Sequence, residues 1–452
     1  FELNSGAKIK IAVLENNGGA IKSGGELEID VDEYIEKLNA AEFIKSEIEE
    51  VHEGTFSSSH SKSKVTDFVI DLPSISAENL IIKAKNKIRL EGLIEAKNLK
   101  LESDVLERVS HVFYTSATSS SSKSGVFSHA SRDCKAKLAK IVPTMIKVDG
   151  DLTTKILTRY IEEGAIKSVG RWINSFNTKL EIRPLKIRET MEETAHSGGF
   201  SFGIPHKISL PGSGIIDAFR SRGAQSASQL TNGIVGLYGN MNTISKFGLA
   251  RGIPAVFGIG TFGYSESDFH SKKIHNFTFD SVTEALNGVD VKAQNIVLSG
   301  KMKSQNGKIQ VEGTKSLTVL PGYDEVQNQS EFDTAGFSAN ILTRTGDINF
   351  QSGHQKSLDR EVKKLELVAP QVSLISPNII YDDAKDIHTS SGKSFGMGFG
   401  VSEMHPSINA NYSQNHNGEG FGIGLNLDLS SPESFKKSAI NALKQGASGA
   451  LI

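Results

Sequence analysis

The feature that most constrains this chain is a recurrence of short strands about 19 to 21 residues apart. In Ser76–Glu102, SAENLIIKAKNKIRLEGLIEAKNLKLE, the block SAENL at Ser76–Leu80 returns as EAKNL at Glu95–Leu99, a shift of 19 residues. Apolar residues two apart mark each strand: Leu80 and Ile82, Ile88 and Leu90, Leu99 and Leu101. Period-two alternation places them on one face of a strand. Asn, Gly, Lys and Glu fill the breaks. Strands of about five residues joined by corners, two or three to a turn, describe one coil of a stacked β-structure. Ala77 is then expected beside Ala96, and Leu80 beside Leu99.

The same grammar returns along the chain. Ile9 and Ile11 are followed 18 residues later by Leu27 and Ile29, after ENNGG and SGG. Ile296/Leu298, Ile309/Val311 and Leu317/Val319 have gaps of 13 and 8, which sum to 21. GDINF, Leu365/Leu367 and Val372/Leu374 continue it. The expected fold is all-β: a right-handed parallel β-helix (solenoid) with projecting hairpins, a partly helical middle insertion and a C-terminal helix. Hydrophobic residues at 38% and aromatics at 7% suit a solenoid, whose layers each bury a thin core.

Four Ser/His/Lys-rich stretches interrupt the repeats: 54–65, 113–133, 263–279 and 351–364. β-Branched and aromatic flanks favour hairpins that project from the coil, with a flexible loop as the alternative. Glycine alternates with apolar residues in SFGMGFGV (394–401) and FGIGLNLDL (421–429), and more briefly at Gly199 and Val256. Such strands pack closely in a sheet or core. A second reading is insertion into an outer membrane, whose strands alternate over roughly nine to eleven residues.

Thr154–Ile173 carries Ile156, Leu157, Tyr160, Ile161, Ala165, Val169, Trp172 and Ile173 at a helical spacing, and Ile216–Leu230 is a further helix candidate. SSPESFKKSAINALKQG predicts a terminal helix, with Ser431 as cap, Pro432 in the first turn and Gly446 as its end. The expected segments are therefore repeats over 1–153, an irregular and partly helical insertion over 154–250, a second repeat region over 251–430, and a helix over 431–452.

Charge is nearly balanced, 50 Lys and Arg against 52 Asp and Glu, which gives no global field for nucleic acid. The single cysteine, Cys134, excludes an internal disulfide and any two-cysteine metal or redox motif. The start at Phe1, without Met or a signal peptide, suggests a fragment or processed product. No apolar run reaches the length of a spanning helix.

Chemistry-bearing patterns are sparse. The twelve histidines form no HExxH pair. His270 and His275, five apart, are weak metal candidates. Gly258–Gly263, GIGTFG, lacks the helix and acidic residue of a nucleotide loop. Asp382 and Asp383 have no partner acid or base. Cys134 in SRDCKAK is a candidate exposed thiol, more often incidental than reactive. Trp172 is expected off the coil. No catalytic, cofactor or metal site is assigned, and no enzyme activity is expected. A carbohydrate-cleaving β-helix remains the enzymatic alternative.

KSGGELEIDV, SAENLIIKAKNKIRLEG, VKAQNIVLSGKMKSQNGKIQVEG and TRTGDINF resemble the repeats of filamentous haemagglutinin exoproteins. The order FGIGTFGYSESDFHSKK, then VDVKAQNIVLSG, resembles that family's haemagglutinin repeat, although the strands here are richer in Lys, Glu and Ile. The resemblance covers residues 1–150 and 255–430. It implies export by an outer-membrane secretion transporter of the two-partner type and display at the bacterial cell surface. It also implies contact with a receptor or envelope component of a target cell, as an adhesin shaft or, in the contact-dependent growth-inhibition branch, in toxin delivery. Outer-membrane contact is the further partner it suggests.

Overall fold

The computed structural model describes residues 1–3, 6–126, 128–202, 261–340, 345–382, 385–402, 405–417, 419–429 and 431–449. These residues are nearly all strand, so the chain is an all-β protein with one C-terminal helix.

The chain alternates between two sheets. It begins with β1 (Glu2–Leu3), β2 (Ala7–Asn17), β3 (Ala20–Ser23) and β4 (Glu26–Lys37), then leaves for an antiparallel pair, β5 (Asn39–Glu53) and β6 (Ser57–Asp71). It returns as β7 (Ser74–Leu90) and β8 (Leu93–Val109) and leaves as β9 (His111–Gly125) and β10 (Ser128–Val142). β11 (Met145–Glu163) and β12 (Ile166–Arg183) precede β13 (Leu185–Phe202) and β14 (Thr261–Phe279). β15 (Val282–Ala285), β16 (Val289–Leu298), β17 (Lys301–Ser304) and β18 (Ile309–Val319) precede β19 (Gly322–Asn340) and β20 (Thr345–Lys363). Last come β21 (Glu366–Val368), β22 (Val372–Ile375) and β23 (Ile379–Tyr381), the antiparallel β24 (Ile387–Ser402), β25 (His405–His416) and β26 (Glu419–Asp428), and helix α1 (Pro432–Gly449). The unit is therefore two tiers of parallel strand followed by an antiparallel excursion.

All parallel strands join one 15-stranded sheet, and all the excursions join one 11-stranded antiparallel sheet. Within the parallel sheet, Ala77 pairs with Ala96 and Leu80 with Leu99, as the 19-residue shift requires. Ile296 pairs with Leu317 and Leu298 with Val319, matching the shift of 21. Near the start the offset is 20, not 18: Ile9 meets Ile29 and Ile11 meets Val31. The apolar residues are the paired ones, but the spacing of 18 falls two residues short of the register.

The pairing stacks apolar residue on apolar residue. One column runs Leu14, Tyr34, Ile88, Leu106, Tyr160, Leu180, Ile296, Leu317 and Ile379 through successive tiers. From Tyr34 to Leu317 every member is at most 1% exposed. Burial of each such aliphatic side chain contributes about 1.5–3 kcal/mol. The column, more than any single strand, holds the tiers in register.

Three expectations fail here. Thr154–Ile173 is strand, in β11 and β12. Positions two and four apart share a face in a strand, so Ile156 and Tyr160 both point inward without a helix. A spacing of four fits a strand as well as a helix, while Leu157, on the outward parity and beside the register slip between Ile156 and Arg159, is 56% exposed. Second, residues 154–202 are not an irregular insertion but extend both sheets. β12 pairs directly with β15 and β16, so the parallel sheet runs through without a break into a second repeat region. The remainder of the expected insertion, including Ile216–Leu230, lies outside the described residues. Third, Trp172 is not off the stack. It is fully buried between Leu152 and Val289.

Trp172 covers a charged cluster within the core. Glu162 accepts hydrogen bonds from Arg108, Lys167 (2.7 Å) and the Tyr160 hydroxyl (2.6 Å). The Lys167 ammonium sits 3.3 Å from a Trp172 ring centroid. Burial pulls Lys167 below its usual range, with Glu162 opposing. Burial alone would raise Glu162; Lys167 and Arg108 outweigh it and hold the carboxylate low. The helix begins as the sequence predicts, with Ser431 Oγ accepting from Ser434 N at 3.1 Å. It continues past Gly446 to Gly449.

Candidate binding surface

The four Ser/His/Lys stretches all lie on strands of the antiparallel sheet, in β6, β9–β10, β14 and β20. Strand order is β26-β25-β24-β20-β19-β14-β13-β10-β9-β6-β5, so hairpins from separate units pair edge to edge. The junctions are β6 with β9, β10 with β13, β14 with β19 and β20 with β24. The hairpin reading is the one observed, and the hairpins fuse into one surface.

Alternation divides this surface. On β10 the residues Ala130, Arg132, Cys134, Ala136 and Leu138 are buried, while His129, Asp133, Lys135 and Lys137 are exposed. The buried side carries a small apolar cluster of Val65, Ala117, Cys134, Ala136, Leu138 and Met191. Cys134 is thus not the exposed thiol the sequence suggested. Burial, helped by the Glu193 carboxylate, pushes it up to about 11, which makes it a poor nucleophile.

The opposite side holds polar groups in register. Ser131, His196 and Asp268 are directly paired across β10, β13 and β14. Asp133, Thr194, His270, Glu331 and His354 form the next row. A shallow groove of about 420 Å³ lies among Ser131, Asp133, Thr194, His196, Asp268, His270 and Glu331. His196 Nδ1 is 2.5 Å from Asp268 Oδ1, and its Nε2 is 2.9 Å from His129 Nε2. That nitrogen therefore faces His129, and Ser131 is its neighbour by backbone pairing alone.

His270 and His275 lie on opposite faces of β14, because five residues is an odd interval in a strand. They do not share a ligand. His275 is buried between Glu189 (3.2 Å) and Asp324 (2.6 Å). Burial alone would lower it; the hydrogen bonds its ring donates to Asp324 and Glu189 outweigh that and raise it. Residues 261–263 of the glycine-rich run are strand, and the rest lies outside the described residues, as does Asp383. Asp382 follows β23 and donates its N–H to the Val319 carbonyl.

The glycine/apolar runs share one end of the sheet. Backbone pairing puts Phe200, Tyr264, Phe337, Ile348, Phe399, Ile408 and Leu427 in a single row across seven strands. The adjacent row in the backbone pairing is Gly199, Ser265, Gly336, Asn349, Gly398, Asn409 and Asn426. Each motif was visible in the sequence. Their alignment was not, because register depends on pairings between distant segments.

Comparison of the chain with protein-family models, with curated proteins and with solved structures gives no match.

Proposed function

We propose that this chain is a structural and interaction segment of a large secreted bacterial surface exoprotein, of the kind its repeats resemble. In this reading the parallel tiers form a right-handed β-helical shaft, and the antiparallel sheet is the surface it presents to a receptor or envelope component of a target cell. The segment serves as an adhesin shaft or in toxin delivery, after export through an outer-membrane transporter. The observation that carries the reading is the regular unit of two tiers and one excursion, with successive excursions joined into one sheet. Such a design spends long, polar, exposed strands on breadth of surface instead of on an enclosed cleft.

Binding of the labelled full chain to whole Gram-negative cells tests this. Saturable binding that falls when His129, Asp133 and Lys135 are replaced by Ser supports it. No binding to any cell type, or cleavage of extracellular polysaccharide by the chain, contradicts it.

The seven-strand apolar row favours a second reading, a membrane-inserting β-module of a toxin translocation system. Co-sedimentation with protein-free liposomes separates the two. Insertion without any cell component supports the membrane module, and retention only by cells supports the contact surface.

A further inference from the structure

His129 and His196 meet across the junction between two hairpins of different units. His129 pairs with Gly198 and His196 with Ser131, so the two rings are diagonal neighbours on the exposed side of β10 and β13. Their Nε2 atoms face each other at 2.9 Å. Asp268 lies behind His196 and accepts from its Nδ1 at 2.5 Å. A carboxylate on Nδ1 fixes the tautomer that leaves the Nε2 lone pair pointing outward, the arrangement that orients metal-binding histidines. Gly198, opposite His129, puts no side chain into the space above it.

We propose that His129 Nε2 and His196 Nε2 bind a late first-row divalent metal ion, Zn²⁺ or Cu²⁺, with Asp268 as the positioning residue. Zn–N bonds of about 2.0–2.1 Å in tetrahedral geometry set nitrogens roughly 3.3 Å apart. The observed 2.9 Å therefore needs to open by only a few tenths of an ångström. Both rings are neutral in the bound form; His129 carries its proton on Nδ1, so its Nε2 is free to ligate. Among the described residues no third histidine, cysteine, aspartate or glutamate completes a three-ligand set. The remaining positions are thus open to water or to a donor from a partner. Imidazole donors select Zn²⁺ and Cu²⁺ over Mg²⁺ and Ca²⁺. This assignment stands independently of the function proposed above.

The test is calorimetric titration of the full chain with ZnCl₂ at pH 7.5, paired with the electron-paramagnetic-resonance spectrum of the Cu²⁺ form. We expect one tight site per chain. Affinity should fall at least tenfold in His129→Ala or His196→Ala, and about tenfold in Asp268→Asn. His60→Ala, a control on the same sheet, should stay within twofold of wild type. The copper spectrum should show nitrogen couplings that either alanine variant alters. Equal affinity in wild type and the His129→Ala/His196→Ala double variant, with unchanged thermal midpoints, overturns the proposal. So does a copper spectrum indifferent to both substitutions.

Discussion

Glu36 offers a test of the parallel stack through pH. It is fully buried in the second tier, and its Oε2 accepts the backbone N–H groups of Gly92 (3.0 Å) and Glu91 (3.2 Å). Its Oε1 accepts the Tyr34 hydroxyl at 3.1 Å. Burial raises its pKa from 4.5 to about 7, against the lowering effect of these hydrogen bonds. The folded state therefore holds its proton more tightly than the unfolded state does. Stability from this group is full below about 4.5 and declines as pH rises to about 7, where the carboxyl must ionise inside the core. The displacement amounts to about 3 kcal/mol at most. Glu36→Gln keeps the shape of the neutral acid and cannot ionise. It should match wild type at pH 4.5 and exceed it by about 2–3 kcal/mol at pH 8. Urea unfolding followed by hydrogen exchange at the Gly92 amide reads this locally, which avoids assuming a two-state repeat array. An equal effect of Glu36→Gln at both pH values, or a wild type that gains stability from this region as pH rises, refutes the reasoning.

Three further outcomes follow from the same structure. Leu101→Ala, at a fully buried position, should cost about 2–5 kcal/mol in urea unfolding, whereas Leu157→Ala on the exposed slip should cost under about 0.5 kcal/mol. His275→Gln should cost about 2 kcal/mol at pH 5.5 and less at pH 9, because a raised histidine pKa lends stability that is lost as pH rises through it. Gly300 has φ +89, and an added Cβ would lie 2.3 Å from the Ser281 carbonyl oxygen. Gly300→Ala should therefore cost about 1–3 kcal/mol and loosen the corner where β21 docks, as measured by thermal midpoint.

Much of the fold was legible because identical offsets create identical neighbours. SAENL and EAKNL announce their own pairing, and so do Ile296 and Leu317. What misled was a spacing of four, which fits a strand as well as a helix. Ile156 and Tyr160 share the inward face of β11, and a reader without the partner strand sees a helix. Trp172 escaped for a related reason: its column partners, Leu152 and Val289, lie 20 and 117 residues away. The exposed histidine pair was equally hidden. His129 and His196 are separated by 67 residues, and no spacing rule connects them until β10 and β13 are known to be neighbours. The Ser/His/Lys composition did mark the strands that carry them. Parity within a strand could also have separated His270 from His275 without any structure.

Disulfide trapping between hairpins of different units tests the central claim most directly. β6 and β9 belong to successive excursions, and Lys62 pairs with Ser120 on the exposed side of their junction. A Lys62→Cys/Ser120→Cys protein should form an intramolecular crosslink under mild oxidation. A Lys62→Cys/Ser121→Cys protein, whose two positions lie on opposite faces, should not. Crosslinking of both pairs at similar rates, or of neither, would mean that the excursions are separate mobile arms and that no continuous sheet exists.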